Sequence, residues 1–83
     1  MKAAVYSLKR ILFEGEIKEV NLKTVDGEIT VLDHHRPLIT ALAEGVIKII
    51  DIKNQEHFVP VKSGFLEVNE ENQAKLLVDE AAQ

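Results

Sequence analysis

The sequence predicts an all-β fold, an antiparallel β-sandwich, on three observations. Turn signals recur about every 8–12 residues, the spacing of short strands joined by tight connections. Runs of β-branched and aliphatic residues fill the intervals, and such side chains suit a pleated, half-buried surface. Apolar and polar residues alternate within several runs, the period of a strand with one face in the core.

The elements follow in order. Val20 and Leu22 alternate with Asn21 and Lys23, as in a half-buried strand. Asp26-Gly27 reads as a hairpin turn, because glycine accepts positive φ without a Cβ clash. Ile29 to Leu32 is the returning strand. Pro37 to Glu44 admits two readings: a short helix, with proline in its first turn and Gly45 past its end, or a strand. Eight residues make a poor isolated helix, so the strand is expected. Val46 to Ile52 is β-branched on both faces and reads as a central strand. Lys53 to Glu56 is a polar turn. His57 to Val61 is a further short run in which Pro60 suggests an edge or a strand end, since proline cannot donate to a ladder. Phe65 to Val68 and Lys75 to Val78 pair around the loop Asn69 to Asn72. The tail from Glu80 to Gln83 is expected to fray.

Composition narrows the function. Eighty-three residues allow one small domain, spanning 1–83. A domain this size buries only about 60% of its unfolded surface. An apolar fraction of 46% with 29% charged residues is ordinary for a globular chain. There are no cysteines, so disulfides and thiol chemistry are excluded. The formal net charge is −4 and the ten basic residues are scattered, which argues against a phosphate-backbone binder. No apolar run approaches the roughly 20 residues a membrane helix needs. The N-terminus is too short in its apolar part for a signal peptide, so a cytosolic chain is expected.

The four glycines, at 15, 27, 45 and 64, form no phosphate-cradling loop. Ser7 and Ser63 lie in no nucleophile elbow. One cluster could carry chemistry: Asp33, His34 and His35, with Glu28 a possible neighbour. Its functional reading is a metal site or general base; its plainer reading is a polar loop with one structural histidine. Adjacent residues of an extended chain point opposite ways, and zinc wants three or four ligands, so the plainer reading is expected. No catalytic residue, metal or cofactor is expected.

Five segments carry a family resemblance. They are Phe13-Glu14-Gly15-Glu16, then Asp26 to Leu42 with its Asp-Gly turn and His35-Arg36-Pro37-Leu38, Gly45-Val46-Ile47-Lys48-Ile49, Val61 to Val68, and Lys75 to Ala81. In this order and at this spacing they resemble the N-terminal domain of the epsilon subunit of F-type ATP synthases. Asp33, His34, Arg36, Glu44, Lys62 and Ser63 depart from the family pattern, mostly in loops.

The resemblance implies a flattened β-sandwich of about ten short strands. It implies a non-catalytic central-stalk (rotor) subunit that docks on the gamma subunit and the c-ring and couples proton translocation to ATP synthesis. Such a subunit is peripheral, at the cytoplasmic face of the energy-transducing membrane. By carry-over, Asp26, Gly27, Glu28 and His35 would face the c-ring, and Leu38, Thr40 and Leu42 would face gamma. Each has a plainer rival: Glu28 as a solvated turn charge, Leu38 and Leu42 as core. Family members continue into two C-terminal helices that inhibit ATP hydrolysis, and the chain as given is expected to be a short form without them. Self-association in isolation is a further expectation, and a stand-alone β-sandwich adaptor is the alternative function.

Overall fold

The computed structural model describes residues 1–81. Seven strands run in chain order: β1 Lys2–Tyr6, β2 Ile11–Thr24, β3 Gly27–Leu32, β4 Leu38–Leu42, β5 Gly45–Asp51, β6 Glu56–Val68 and β7 Gln73–Glu80. No helix occurs among the described residues.

The ladders close on themselves. β1 pairs β2, β2 pairs β5, β5 pairs β6, β6 pairs β7 and β7 returns to β1. β3 adds to β2 and β4 adds to β6, with one further pairing between Thr24 and Leu42. Closure removes most of the unpaired edge that a small sheet would otherwise expose. Two layers result because β2 and β6 each run through both. The first half of β2 lies with β1, β7, the second half of β6, and β4; its second half lies with β3, β5 and the first half of β6.

Each long strand carries a register shift where it passes between layers, at Lys18 in β2 and Lys62 in β6. The extra residue reverses which parity faces inward. Phe13 and Ile17 pack inward before the first shift, Val20, Leu22 and Thr24 after it. Val59 and Val61 are buried before the second, Leu66 and Val68 after it. The core between the layers also takes Val5, Val31, Ile47, Ile49 and Leu76. Burying each such side chain contributes about 1.5–3 kcal/mol. The buried hydroxyl of Thr24 is satisfied: it donates to Gly27 O at 2.8 Å and accepts from Asp26 N at 3.1 Å.

Several expectations are corrected here. The strands among the described residues number seven rather than about ten, in part because β2 and β6 each run through both layers as one bent strand, His57 to Val61 and Phe65 to Val68 both belonging to β6. The sheet is not wholly antiparallel, since β1 and β7 run parallel. Pro60 sits within β6, beside the register shift; its carbonyl accepts from Ala81 N at 3.2 Å. The first hairpin turns at Val25-Asp26, and Gly27, at φ +128°, opens β3. The central strand stops at Asp51, leaving Ile52 in the turn, and Glu56 belongs to β6. Glu80 does not fray: it ends β7 and holds Arg10 at 2.7 Å. Ala82 and Gln83 lie outside the described residues. Leu38 to Leu42 is a strand, as expected.

Candidate functional site

The most prominent surface feature is a row of side chains crossing the outer face of the first layer. Register places Ala41 of β4 beside Phe65 of β6, Phe65 beside Leu77 of β7, Leu77 beside Tyr6 of β1, and Tyr6 beside Ile11 of β2. Paired residues point to the same side of a sheet, so the five form one apolar belt at right angles to the strands. Phe65 is 60% exposed, Ile11 63% and Leu77 40%.

Two further residues extend it. Ile39 is 74% exposed on β4, two positions from Ala41. Leu8, 95% exposed, projects from the loop between β1 and β2. That loop is held in shape. Ser7 N donates to Arg10 O at 2.9 Å, and Ser7 Oγ accepts from Lys9 N at 3.1 Å. The Arg10 guanidinium donates to Glu80 at 2.7 Å and keeps that carboxyl below its ordinary range. An open cleft of about 590 Å³ lies between Leu8 and the sheet, with Ala41, Phe65 and Leu77 on its wall. Exposed apolar surface this contiguous marks an interaction site more often than chance.

The expected gamma-facing residues lie on the same strand but point the other way. Leu42 is buried in the core and Leu38 packs against it; Thr40, on the same side, is half-buried. Their neighbours Ile39 and Ala41 stand outside. Sequence reasoning named those three and passed over the outward pair, Ile39 and Ala41. A signal existed: consecutive large apolar residues at Leu38-Ile39, Phe65-Leu66 and Leu76-Leu77 break the alternation that a solvated face would keep.

The expected c-ring-facing residues are separated. Asp26, Gly27 and Glu28 lie at the start of β3, and His35 lies beyond its end. Six residues at about 3.3 Å each put roughly 20 Å between the two groups. Glu28 accepts from Asn21 Nδ2 at 3.1 Å and does not join the histidine loop.

That loop is a polar clasp. Asp33 Oδ1 lies 2.8 Å from the Met1 ammonium and accepts from Asn72 Nδ2 at 2.6 Å. Asn72 Oδ1 accepts from His34 N at 2.7 Å, and Asn72 O accepts from Lys2 N at 3.1 Å. Asn72 thereby ties the β6–β7 turn to β1 and to the β3–β4 loop. His34 and Asn72 both take positive φ, at 61° and 60°. The ammonium and Asn72 hold the Asp33 carboxyl below its usual range, while Asp33, ahead of Glu16, raises the ammonium. His35 Nδ1 donates to Arg36 O at 2.6 Å. Asp33 is thus committed to structure, and among the described residues no three metal-ligating groups converge.

A second tie closes the β5–β6 hairpin. Asp51 accepts from His57 Nε2 and Lys53 N, each at 2.8 Å, and from Gln55 N at 3.0 Å. These bonds, His57 first, lower its pKa. The His57 ring packs 4.9 Å from that of Phe13 on β2.

Residues 1–83 match the family model described as the ATP synthase delta/epsilon chain β-sandwich domain. The chain belongs to that family. Solved structures share its fold. A chain of the Euglena gracilis mitochondrial ATP synthase, from a complex of OSCP, F1 and c-ring, is 20% identical with a TM-score of 0.87. A chain of the Tetrahymena thermophila mitochondrial ATP synthase, from its central stalk and c-ring, is 17% identical with a TM-score of 0.79. Each match covers 96% of the present delta/epsilon-type chain, and 51% and 63% of the Euglena and Tetrahymena chains respectively. The delta/epsilon sandwich described here thus spans between half and two thirds of those chains.

Proposed function

We propose that the chain is a non-catalytic central-stalk subunit of an ATP synthase, docking on gamma and on the c-ring as part of the rotor. The observation that carries this reading, beside the family, is the uncovered apolar belt. A domain of this size gains little by exposing Phe65, Ile11 and Ile39 unless another surface covers them. The belt, rather than the inward-facing Leu38, Thr40 and Leu42, is the surface assigned to gamma.

The turn at Asp26, Gly27 and Glu28 is assigned to the c-ring. It is exposed, and its carboxylates can meet polar loops. His35, roughly 20 Å away beyond the other end of β3, is a separate candidate for the same partner, within the breadth of one ordinary interface. No helix among the described residues is long and apolar enough to cross a membrane, so the membrane would be reached through the partners, from its cytoplasmic face. The proposal concerns the sandwich alone; inhibition of ATP hydrolysis, which the resemblance assigns to helices beyond it, is no part of it.

The test is co-purification with the gamma subunit of the same host. The tag belongs at the C-terminus, because the Met1 ammonium is buried against Asp33 and Glu16. Stoichiometric recovery of gamma is expected, with loss of recovery in Phe65→Asp. A folded chain that retains no gamma overturns the rotor reading in favour of the stand-alone adaptor.

A further inference from the structure

The shape of the belt says what kind of element covers it. Along the strands, the outer face on either side of the belt is mostly polar, with Ile39 of β4 the apolar exception. Glu67, Lys75 and Glu14 bound it on one side; Ser63 and Asp79 bound it on the other. A partner strand or sheet aligned with these strands would bury those charges. Across the strands, the apolar row is continuous over five of them.

Neighbouring strands lie about 4.8 Å apart, so five strands give a belt roughly 19 Å long. An α-helix rises 1.5 Å per residue, so about 13 residues span it. Its width, one residue per strand except at β4, where Ile39 adds a second, suits the single apolar stripe of an amphipathic helix. We infer that the belt receives an amphipathic helix of a partner protein, laid across the strands with its apolar stripe on Tyr6, Phe65 and Leu77.

Charge fixes the partner further. Ile39 stands beside Glu67, Glu67 beside Lys75, Lys75 beside Ala4, and Ala4 beside Glu14, in one row parallel to the belt. Past the apolar end at Ile39, the order along the flank is acid, base, gap, acid. At about 4.8 Å per strand and 1.5 Å per helical residue, the complement is Lys, Glu and Lys near positions i, i+3 and i+10. Opposite charges at such a rim set orientation and partner choice more than raw affinity. This deepens the reading of the belt as a docking surface, and rests on that reading but not on the partner being gamma.

The test uses two probes on the intact chain. One is a synthetic amphipathic peptide of about 16 residues, long enough to form helix on binding, with leucines along one stripe and Lys, Glu, Lys on the flank. The other is the host's gamma subunit. The peptide is expected to gain helicity by circular dichroism when bound. A peptide with the three flank charges reversed is expected to bind about tenfold more weakly. Ile11→Asp and Phe65→Asp should each abolish binding, and Glu67→Lys, which leaves the belt intact, should narrow the preference between the two peptides.

Peptide binding without gamma binding would support the helix and overturn the rotor reading. Gamma binding with no peptide binding, or with no preference between the two peptides, would overturn the helix and leave the rotor reading standing. A dimer of the chain that the peptide does not displace would overturn it in favour of a second copy.

Discussion

Replacing Gly64 with alanine tests how the two halves of β6 are joined. Gly64 pairs with Val78 on β7 and with Leu42 on β4, one residue past the register shift. Its φ is +156°, and a Cβ there would fall on the carbonyl oxygen of Leu77 and 3.0 Å from Cα of Val78. Both are backbone atoms of a paired strand, so neither can swing aside. Backbone strain at such a φ costs about 1–3 kcal/mol. Overpacking against a fixed neighbour costs about 1–3 kcal/mol more. The expected loss is therefore about 2–6 kcal/mol. A domain of 83 residues has a total stability of about 4–12 kcal/mol, so much of it would go. Gly27 supplies the control. Its φ is also positive, at +128°, but a Cβ there would meet nothing within 4 Å. Gly27→Ala should therefore show strain alone, at about 1–3 kcal/mol. Urea unfolding of the three proteins measures both losses, with slopes of about 1–3 kcal/mol per molar. A Gly64→Ala protein within 1 kcal/mol of Gly27→Ala would refute the argument from close approach.

Three other outcomes are expected. Leu76→Ala empties a fully buried position between the layers and should cost about 2.7–5 kcal/mol in the same assay. Asp51→Asn should lower the unfolding midpoint near neutral pH. The folded-state pKa of Asp51 is depressed, so its contribution is present above the ordinary carboxylate value of about 4 and is lost as pH falls through the depressed one; a difference from the unsubstituted protein that grows on acidification would contradict this. Glu28→Gln keeps an acceptor for Asn21 and should leave the melting temperature unchanged, while weakening binding to the c-ring by less than about fivefold. A large loss of thermal stability would show that Glu28 is structural.

Most of the fold was legible because one face of most strands is solvated. Val20 and Leu22 against Asn21 and Lys23 gave β2, and the loop at Asn69 to Asn72 gave the last hairpin. What escaped was continuity. Pro60 and Ser63-Gly64 look like punctuation, yet β6 passes through them, because β7 ends beside the proline and the register shift absorbs the extra residue. β1 escaped too: its parallel pairing with β7 joins residues some 70 positions apart, and no local pattern encodes that. Of the loop chemistry, the sequence supported a polar loop with one structural histidine, but the partner that organises the clasp, Asn72, could not be named from spacing.

The belt was hidden for a reason that bears on its function. Alternation reports burial only while the outer face is polar. At Phe65-Leu66 and Leu76-Leu77 both faces are apolar, so the pattern cannot say which side is core. Phe65 and Leu66 differ by 60% against 0% exposure, and only the parity reversal at Lys62 decides between them. Without that shift, Phe65 would turn inward with Val59 and Val61, and Leu66 would face solvent. The register shift therefore builds the surface as well as bending the strand: it puts an aromatic ring outside at the centre of the belt and aligns it with Leu77 and Ala41. Deleting Lys62 removes the extra residue and should leave one unbroken alternation along β6, with Val61 inside, Ser63 outside, Phe65 outside and Leu66 inside, as they are now. The expected result is a loss of stability, since the bend between the layers goes with the bulge, but retained partner binding by the folded fraction, since Phe65 keeps its face. Loss of binding by a folded Lys62-deleted chain would mean that the facing of Phe65 alone does not make the docking surface.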